Sequence, residues 1–291
     1  MNNFMPKPIR SADWNYPGKK WKLSRSKLDL FMECERCFYL DNKLGVARPR
    51  GFPFNLNSAV DHLLKKEFDA HRAAKTAHPL MQTYGVDAIP FAHSEMNTWR
   101  ENFEGIQCVH KETGLLISGA VDDVWVNPAG ELIVVDYKST SKDEKVNLDA
   151  EWQDGYKRQM EVYQWLLRRK GFTVSDTGYF VYANGLRDRK AFDAKLEFEV
   201  TLIPYKGNDS WVDAAIVRAK ACLDKDELPK ADPTCDYCNF RKLAIQVESK
   251  FSKRSVKDLE EGDTGAEKKE KPKPKRTKKD EEPNHKTDKL F

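Results

Sequence analysis

Glu131-Leu132-Ile133-Val134-Val135-Asp136-Tyr137-Lys138 is the stretch whose reading decides the fold. Its apolar centre is unbroken and rich in β-branched residues, and Asn127-Pro128-Ala129-Gly130 sets a turn before it. A half-exposed strand would alternate, so the run reads as a central strand buried on both faces. Successive side chains leave a strand on opposite sides, which sends Asp136 and Lys138 to one face and Tyr137 to the other. A carboxylate and an ammonium therefore emerge side by side near a strand end.

Working outward, residues 115–126 read as a second strand, folded back on the first through the 127–130 turn as a hairpin. That pairing brings Asp122 or Asp123 beside Asp136. Downstream, residues 158–167 place Val162, Tyr163, Leu166 and Leu167 at helical spacing and set Gln159 and Tyr163, four apart, on one face. Strand character resumes at Gly178-Tyr179-Phe180-Val181-Tyr182-Ala183. The strand, helix, strand order predicts an α/β core with the helix as crossover and the polar cluster near strand ends. A further helix over residues 57–68 puts Val60, Leu63, Leu64 and Phe68 in one stripe; at about 100° per residue Asp61 flanks that stripe and His62 points away to water.

Two carboxylates and an amine at one sheet edge suit metal-dependent phosphodiester hydrolysis. A hard ion such as Mg²⁺ takes carboxylates, water and phosphate oxygens, acidifies a bound water and neutralises charge growing on phosphorus. A lysine beside it orients that water or shares the charge. Alone, Asp136-x-Lys138 reads equally well as the polar end of a strand. The ordered company of Gly119-x-x-Asp122, Asp136-x-Lys138 and Gln159-x-x-x-Tyr163 carries the functional reading. His71, His78, His93 and His110 have no metal-ligand or triad spacing, and no G-x-S-x-G turn surrounds a serine.

Six cysteines include two C-x-x-C pairs, Cys34/Cys37 and Cys235/Cys238, almost a whole domain apart, while Cys108 and Cys222 stand singly as packing residues. Thiols that stay reduced favour a metal over disulfides, and tetrahedral thiolate sites suit zinc or iron–sulfur clusters. No 18-residue apolar run and no charged-then-apolar leader occur, so no membrane association is expected and the cytoplasm is the expected location. No G-x-x-x-x-G-K-[ST] is present, which excludes a built-in motor.

The predicted organisation is an amino-terminal arm over 1–23, one globular domain over 24–250, and a disordered charged tail over 251–291. The arm's Trp14, Tyr16 and Trp21 suit packing on the core or stacking on bases. Residues 252–291 hold 13 Lys/Arg against 10 Asp/Glu, so of the net charge of +4 only about +1 belongs to the body, and charge alone does not mark a nucleic-acid binder. The basic block over 268–279 reads as a phosphate-holding tether or a solvated linker, and Thr287-Asp288-Lys289-Leu290-Phe291 is similar to a peptide that binds a bacterial sliding clamp.

Over residues 23–240 these motifs resemble the PD-(D/E)XK nuclease superfamily, and within it the RecB-like exonucleases that include CRISPR-associated members. Leu23-Ser24-Arg25-Ser26-Lys27-Leu28 leading to Cys34-Glu35-Arg36-Cys37-Phe38-Tyr39-Leu40 is similar to the family's serine-opened first helix and cysteine-aromatic segment. The resemblance implies a restriction-endonuclease-like core, a central mixed sheet flanked by helices. It implies Asp122 and Asp136 as ligands of Mg²⁺ or Mn²⁺, with the Tyr137 carbonyl as a further ligand, Lys138 as the catalytic lysine, and Gln159 and Tyr163 positioning substrate or water. Asp123 becomes the demoted neighbour. In the upstream helix the family's histidine falls on Asp61, a departure, with the aspartate as the implied replacement ligand.

Related nucleases join their two ends with a four-iron, four-sulfide cluster on one early and three late cysteines. This chain has no cysteine after Cys238, and Cys37 is the implied substitute in a two-plus-two site of iron–sulfur or zinc type. The expected function is hydrolysis of DNA by a metal-activated water, in repair, recombination or defence. The alternative is a noncatalytic nucleic-acid-binding or scaffold protein on the same fold with a structural metal.

Overall fold

The computed structural model describes residues 10–49, 51 and 55–261. The chain divides into two compact units, Met1–Phe240 and Arg241–Phe291. In the first, β1 (Leu23–Ser24), α1 (Arg25–Glu33) and α2 (Glu35–Asn42) precede the long α3 (Asn55–Ala74), α4 (Pro79–Thr83), β2 (Ile89–Pro90) and α5 (Met96–Arg100). The strands β3 (Ile106–Val109), β4 (Leu116–Gly119), β5 (Asp123–Val126) and β6 (Leu132–Thr140) follow, then α6 (Asp154–Arg169), β7 (Thr177–Gly185), β8 (Phe198–Lys206), α7 (Val212–Asp224) and the start of α8 (Asp236–Glu261).

Five strands form a mixed sheet in the order β2-β5-β6-β7-β8. Strand β6 is antiparallel to β5 and parallel to β7, with α6 as the connection between the parallel pair. Residues 132–137 are all buried, as a doubly covered strand requires. The faces separate by parity. Leu132 and Val134 pack with Met160, Val162 and Leu166 of α6 and with Leu28 and Phe31 of α1, whereas Ile133, Val135 and Tyr137 pack with Leu64 and Phe68 of α3. Each such buried aliphatic side chain contributes about 1.5–3 kcal/mol, so a one-residue slip of β6 would forfeit both faces at once. This register fixes Asp136 and Lys138 on the α6 side.

Two details differ from the sequence reading. Residues 115–126 are not one strand. The chain breaks over Ala120–Asp122, β4 joins a separate three-stranded sheet (β1-β4-β3), and only β5 pairs with β6. On α3, Leu63 is 62% exposed, because the helix rests on the sheet along the narrow line of Val60, Leu64 and Phe68.

Tyr16 and Trp21 pack against the main core, edge to face at 5.1 Å, and Trp14 is exposed. In the second unit, residues 241–261 are helical and expose Leu243, Ile245, Val247 and Phe251. Of the segment expected as a tail, residues 251–261 are part of that helix. The basic block over 268–279 and the terminal Thr287–Phe291 lie outside the described residues. Among the described residues no helix is long and apolar enough to cross a membrane.

Candidate active site and thiolate centre

A cleft of about 540 Å³ opens beside the end of β6, lined by Arg25, Asp61, Asp122, Tyr137, Lys138 and Gln159 among others. Asp136 lies fully buried beneath it. The Lys138 ammonium sits on Asp136 Oδ2, and among the described residues no other hydrogen bond reaches that carboxylate. Burial pushes the Asp136 carboxyl up to about 6, with Lys138 pulling it back and Asp122 adding to the rise. For Lys138, burial opposes the charge, yet the carboxylates of Asp136 and Asp122 outweigh it and the amine's pKa is raised. The lysine also donates to Gln159 Oε1 at 3.4 Å and lies 4.5 Å from the Tyr156 ring centre, while Gln159 donates to the Tyr163 hydroxyl at 3.0 Å.

Asp122 sits in the break between β4 and β5. Its Oδ2 accepts the Tyr137 backbone N–H at 3.0 Å, which holds the carboxylate against the residue next to Asp136. Gly119 makes the approach of α6 possible: a Cβ there would stand 2.8 Å from Tyr163 Cε1 and 2.9 Å from Leu166 Cδ1. The glycine and aspartate of Gly119-x-x-Asp122 thus have separate tasks, one steric and one polar.

Asp123 turns the other way. Its Oδ2 accepts from the Tyr137 hydroxyl at 2.8 Å, and its Oδ1 meets Arg72 and, at 3.0 Å, Arg100. Asp69 completes this knot, bonding Arg100 at 2.9 Å. It stands on the α3 face of the sheet, away from the cleft, and locks Tyr137. The buried carboxylate of Glu161 on α6 is likewise engaged structurally, by Tyr205, Asn208 and Trp211 at 2.7, 3.1 and 2.6 Å.

Asp61 reaches the same cleft from α3, and His62 is exposed. Between Asp61 and Asp122 lies Lys65, whose ammonium is 2.9 Å from Asp61 and 3.4 Å from Asp122. Burial and the neighbouring Asp122 raise the Asp61 pKa. Two lysines therefore supply the positive charge that a divalent ion would bring to these three carboxylates. Sequence reasoning missed Lys65 and Arg25. The i, i+4 spacing of Asp61 and Lys65 was a visible signal for the first. Arg25 opens α1 behind the Ser24 N-cap and reaches Tyr163 and Asp29, a contact no local pattern announces.

The four paired cysteines come together elsewhere. Cys34 caps α2 and accepts the Cys37 N–H at 3.5 Å; Cys235 immediately precedes α8, and Cys238 lies in its first turn. Sulfur separations are 3.6 Å for Cys37–Cys235 and 3.7 Å for Cys34–Cys238 and Cys37–Cys238, all four thiols are free and buried, and all four sulfurs lie within 4.8 Å of one another. That is a donor set for a metal. Cys108 is half-buried in β3 and Cys222 is buried in α7, each apart from this group.

The sequence profile of the PD-(D/E)XK nuclease superfamily matches residues 22–243, and the chain belongs to that superfamily. Its members are nucleases that use divalent metal ions, and its fold is the restriction-endonuclease-like α/β core seen here. No curated protein matches the chain. Among solved structures it is similar to SSO0001, at 18% identity with a TM-score of 0.25, over 40% of this chain and 45% of that one, so the likeness spans less than half of that protein.

Proposed function

We propose that this chain is a Mg²⁺- or Mn²⁺-dependent deoxyribonuclease of the RecB-like kind, acting in DNA repair, recombination or defence. The observation that carries the reading is the Asp136 carboxylate, buried under an open cleft with the Lys138 ammonium as its one hydrogen-bonding partner among the described residues and Asp122 held beside it. A buried carboxylate with one ammonium for its two oxygens is costly, and a further cation is what it suits.

Asp122, Asp136 and the Tyr137 carbonyl would hold the divalent ion, with Asp61 as a further carboxylate of the same cleft. When bound, the ion supplies Lewis acidity and an acidified water. Lys138, kept protonated by its two carboxylate neighbours, donates to the scissile phosphate or the attacking water. Gln159 accepts from Lys138 and donates to Tyr163, which fixes the direction of the amine. Arg25 and Lys65 add positive charge to the walls, where phosphate oxygens approach.

The test is cleavage of end-labelled single-stranded DNA, duplex DNA and RNA by the full chain in Mg²⁺, in Mn²⁺ and in chelator. Metal-dependent loss of labelled DNA is the expected result. A metal-replete chain that binds DNA and cuts nothing would instead favour the noncatalytic scaffold.

A further inference from the structure

We propose that Cys34, Cys37, Cys235 and Cys238 hold one tetrahedral zinc ion in place of an iron–sulfur cluster, and that Arg48 balances its charge. The inference does not depend on the nuclease reading. It rests first on spacing. Zinc–thiolate bonds of about 2.3 Å at tetrahedral angles set the sulfurs about 3.8 Å apart. Three pairs here stand at 3.6, 3.7 and 3.7 Å, and no pair exceeds 4.8 Å. A four-iron cube carries its thiolates on separate irons at its outer corners, farther apart than thiolates that share one ion. The space between these sulfurs fits a single metal atom. A disulfide is excluded by the same distances, since its sulfurs lie about 2.05 Å apart.

Charge is the second argument. Four thiolates around Zn²⁺ carry a net charge of −2, and burying that charge is unfavourable unless it is answered. Both C-x-x-C pairs lie at helix N-termini, those of α2 and α8, where unpaired N–H groups and the helix dipole favour negative charge. Arg48 supplies a full positive charge. Its guanidinium donates to Cys235 Sγ at 3.6 Å, pairs with Glu33 at 2.6 Å and lies 4.5 Å from the Tyr237 ring centre. Held on three sides, Arg48 acts as a positioning residue of the metal centre.

Such a centre ties α2 to the start of α8 across 204 residues of sequence. Closing so long a loop restricts the unfolded chain, and zinc binding becomes folding free energy. Zinc itself has no redox chemistry, so the clasp has a structural role and carries no electrons.

The experiment is metal analysis and absorption spectroscopy of the full chain, produced in medium containing both iron and zinc and purified without oxygen. The expected result is one zinc per chain, no iron, no acid-labile sulfide and no colour, with intense visible bands appearing when Co²⁺ replaces the zinc. Brown protein carrying about four irons and matching sulfide would overturn the proposal, and so would a chain that takes up no zinc on titration. For Arg48, loss of zinc to a coloured chelator should become about 10–100-fold easier in Arg48→Ala and be partly restored in Arg48→Lys. Unchanged zinc retention in Arg48→Ala would overturn the role given to the arginine.

Discussion

Asp122 accepts the backbone N–H of Tyr137 through Oδ2 at 3.0 Å, beyond the point where the β5–β6 ladder ends at Asp123 and Val135. A side chain has taken the place of the next strand residue, so the departing backbone leaves a carboxylate fixed beside Asp136. Asp122→Ala should cost about 1–2 kcal/mol by orphaning that N–H. Asp122→Asn keeps an acceptor and should hold the melting temperature while weakening Mn²⁺ binding. Calorimetric titration of both variants checks this, and wild-type affinity in each would refute a ligand role for Asp122.

On the opposite face, Asp123 neutralises two arginines whose side chains are only 11% and 9% exposed. Asp123→Ala should therefore destabilise the chain by about 3–5 kcal/mol, since it leaves the buried Arg72 and Arg100 with the single carboxylate of Asp69 between them. Tyr137→Phe, which removes one hydrogen bond to Asp123, should cost about 1 kcal/mol. Denaturant unfolding distinguishes this ranking from one in which Asp123 is the more important residue for activity and the lesser one for stability.

The raised Asp136 pKa gives a pH signature in chelator. A carboxyl that titrates at about 6 folded against 3.8 unfolded holds its proton more tightly in the fold. Its contribution to stability is present below about 3.8 and is lost as pH rises through about 6. Between pH 4 and 7 the metal-free Asp136→Asn variant should gain stability relative to wild type, and wild-type affinity for Mn²⁺ should fall as pH drops below about 6. A pH-independent difference between the two proteins would contradict the assignment.

Gly119→Ala tests the packing of α6 on β4. The added methyl meets Tyr163 and Leu166 at 2.8 and 2.9 Å, and overpacking of this kind costs about 1–3 kcal/mol. Because Tyr163 must shift, its bond to Gln159 should loosen and activity should fall with the melting temperature. A variant as stable and active as wild type would show that α6 yields freely.

The run over 131–138 was legible because its information is local: continuous β-branched character gives burial on both faces, and a period of two assigns Asp136 and Tyr137 to opposite sides. The helical spacing of Gln159 and Tyr163 set them on one face for the same reason, and there Gln159 donates to the Tyr163 hydroxyl. The break at Ala120–Asp122 lies between two stretches that each read as strand, and a change of sheet leaves that local pattern unaltered. Leu63 looked like core because an amphipathic stripe read from sequence is wider than the line along which α3 touches the sheet. Lys65 between Asp61 and Asp122, Arg25 against Tyr163, and Arg48 on Cys235 depend on tertiary approach and leave only faint local traces. Two C-x-x-C spacings suggested a metal, but only the folded chain brings sulfurs 204 residues apart to 3.7 Å.

The central claim is that Asp136 and Lys138 form the reacting edge of a metal-dependent DNA-cleaving site. The most direct measurement is the single-turnover rate of DNA cleavage in saturating Mg²⁺ or Mn²⁺ for wild type, Asp136→Asn and Lys138→Met, with circular dichroism to establish that each is folded. The account predicts metal-dependent cleavage by wild type and a loss of at least about 100-fold in each folded variant. Cleavage that persists at the wild-type rate in either variant would contradict it.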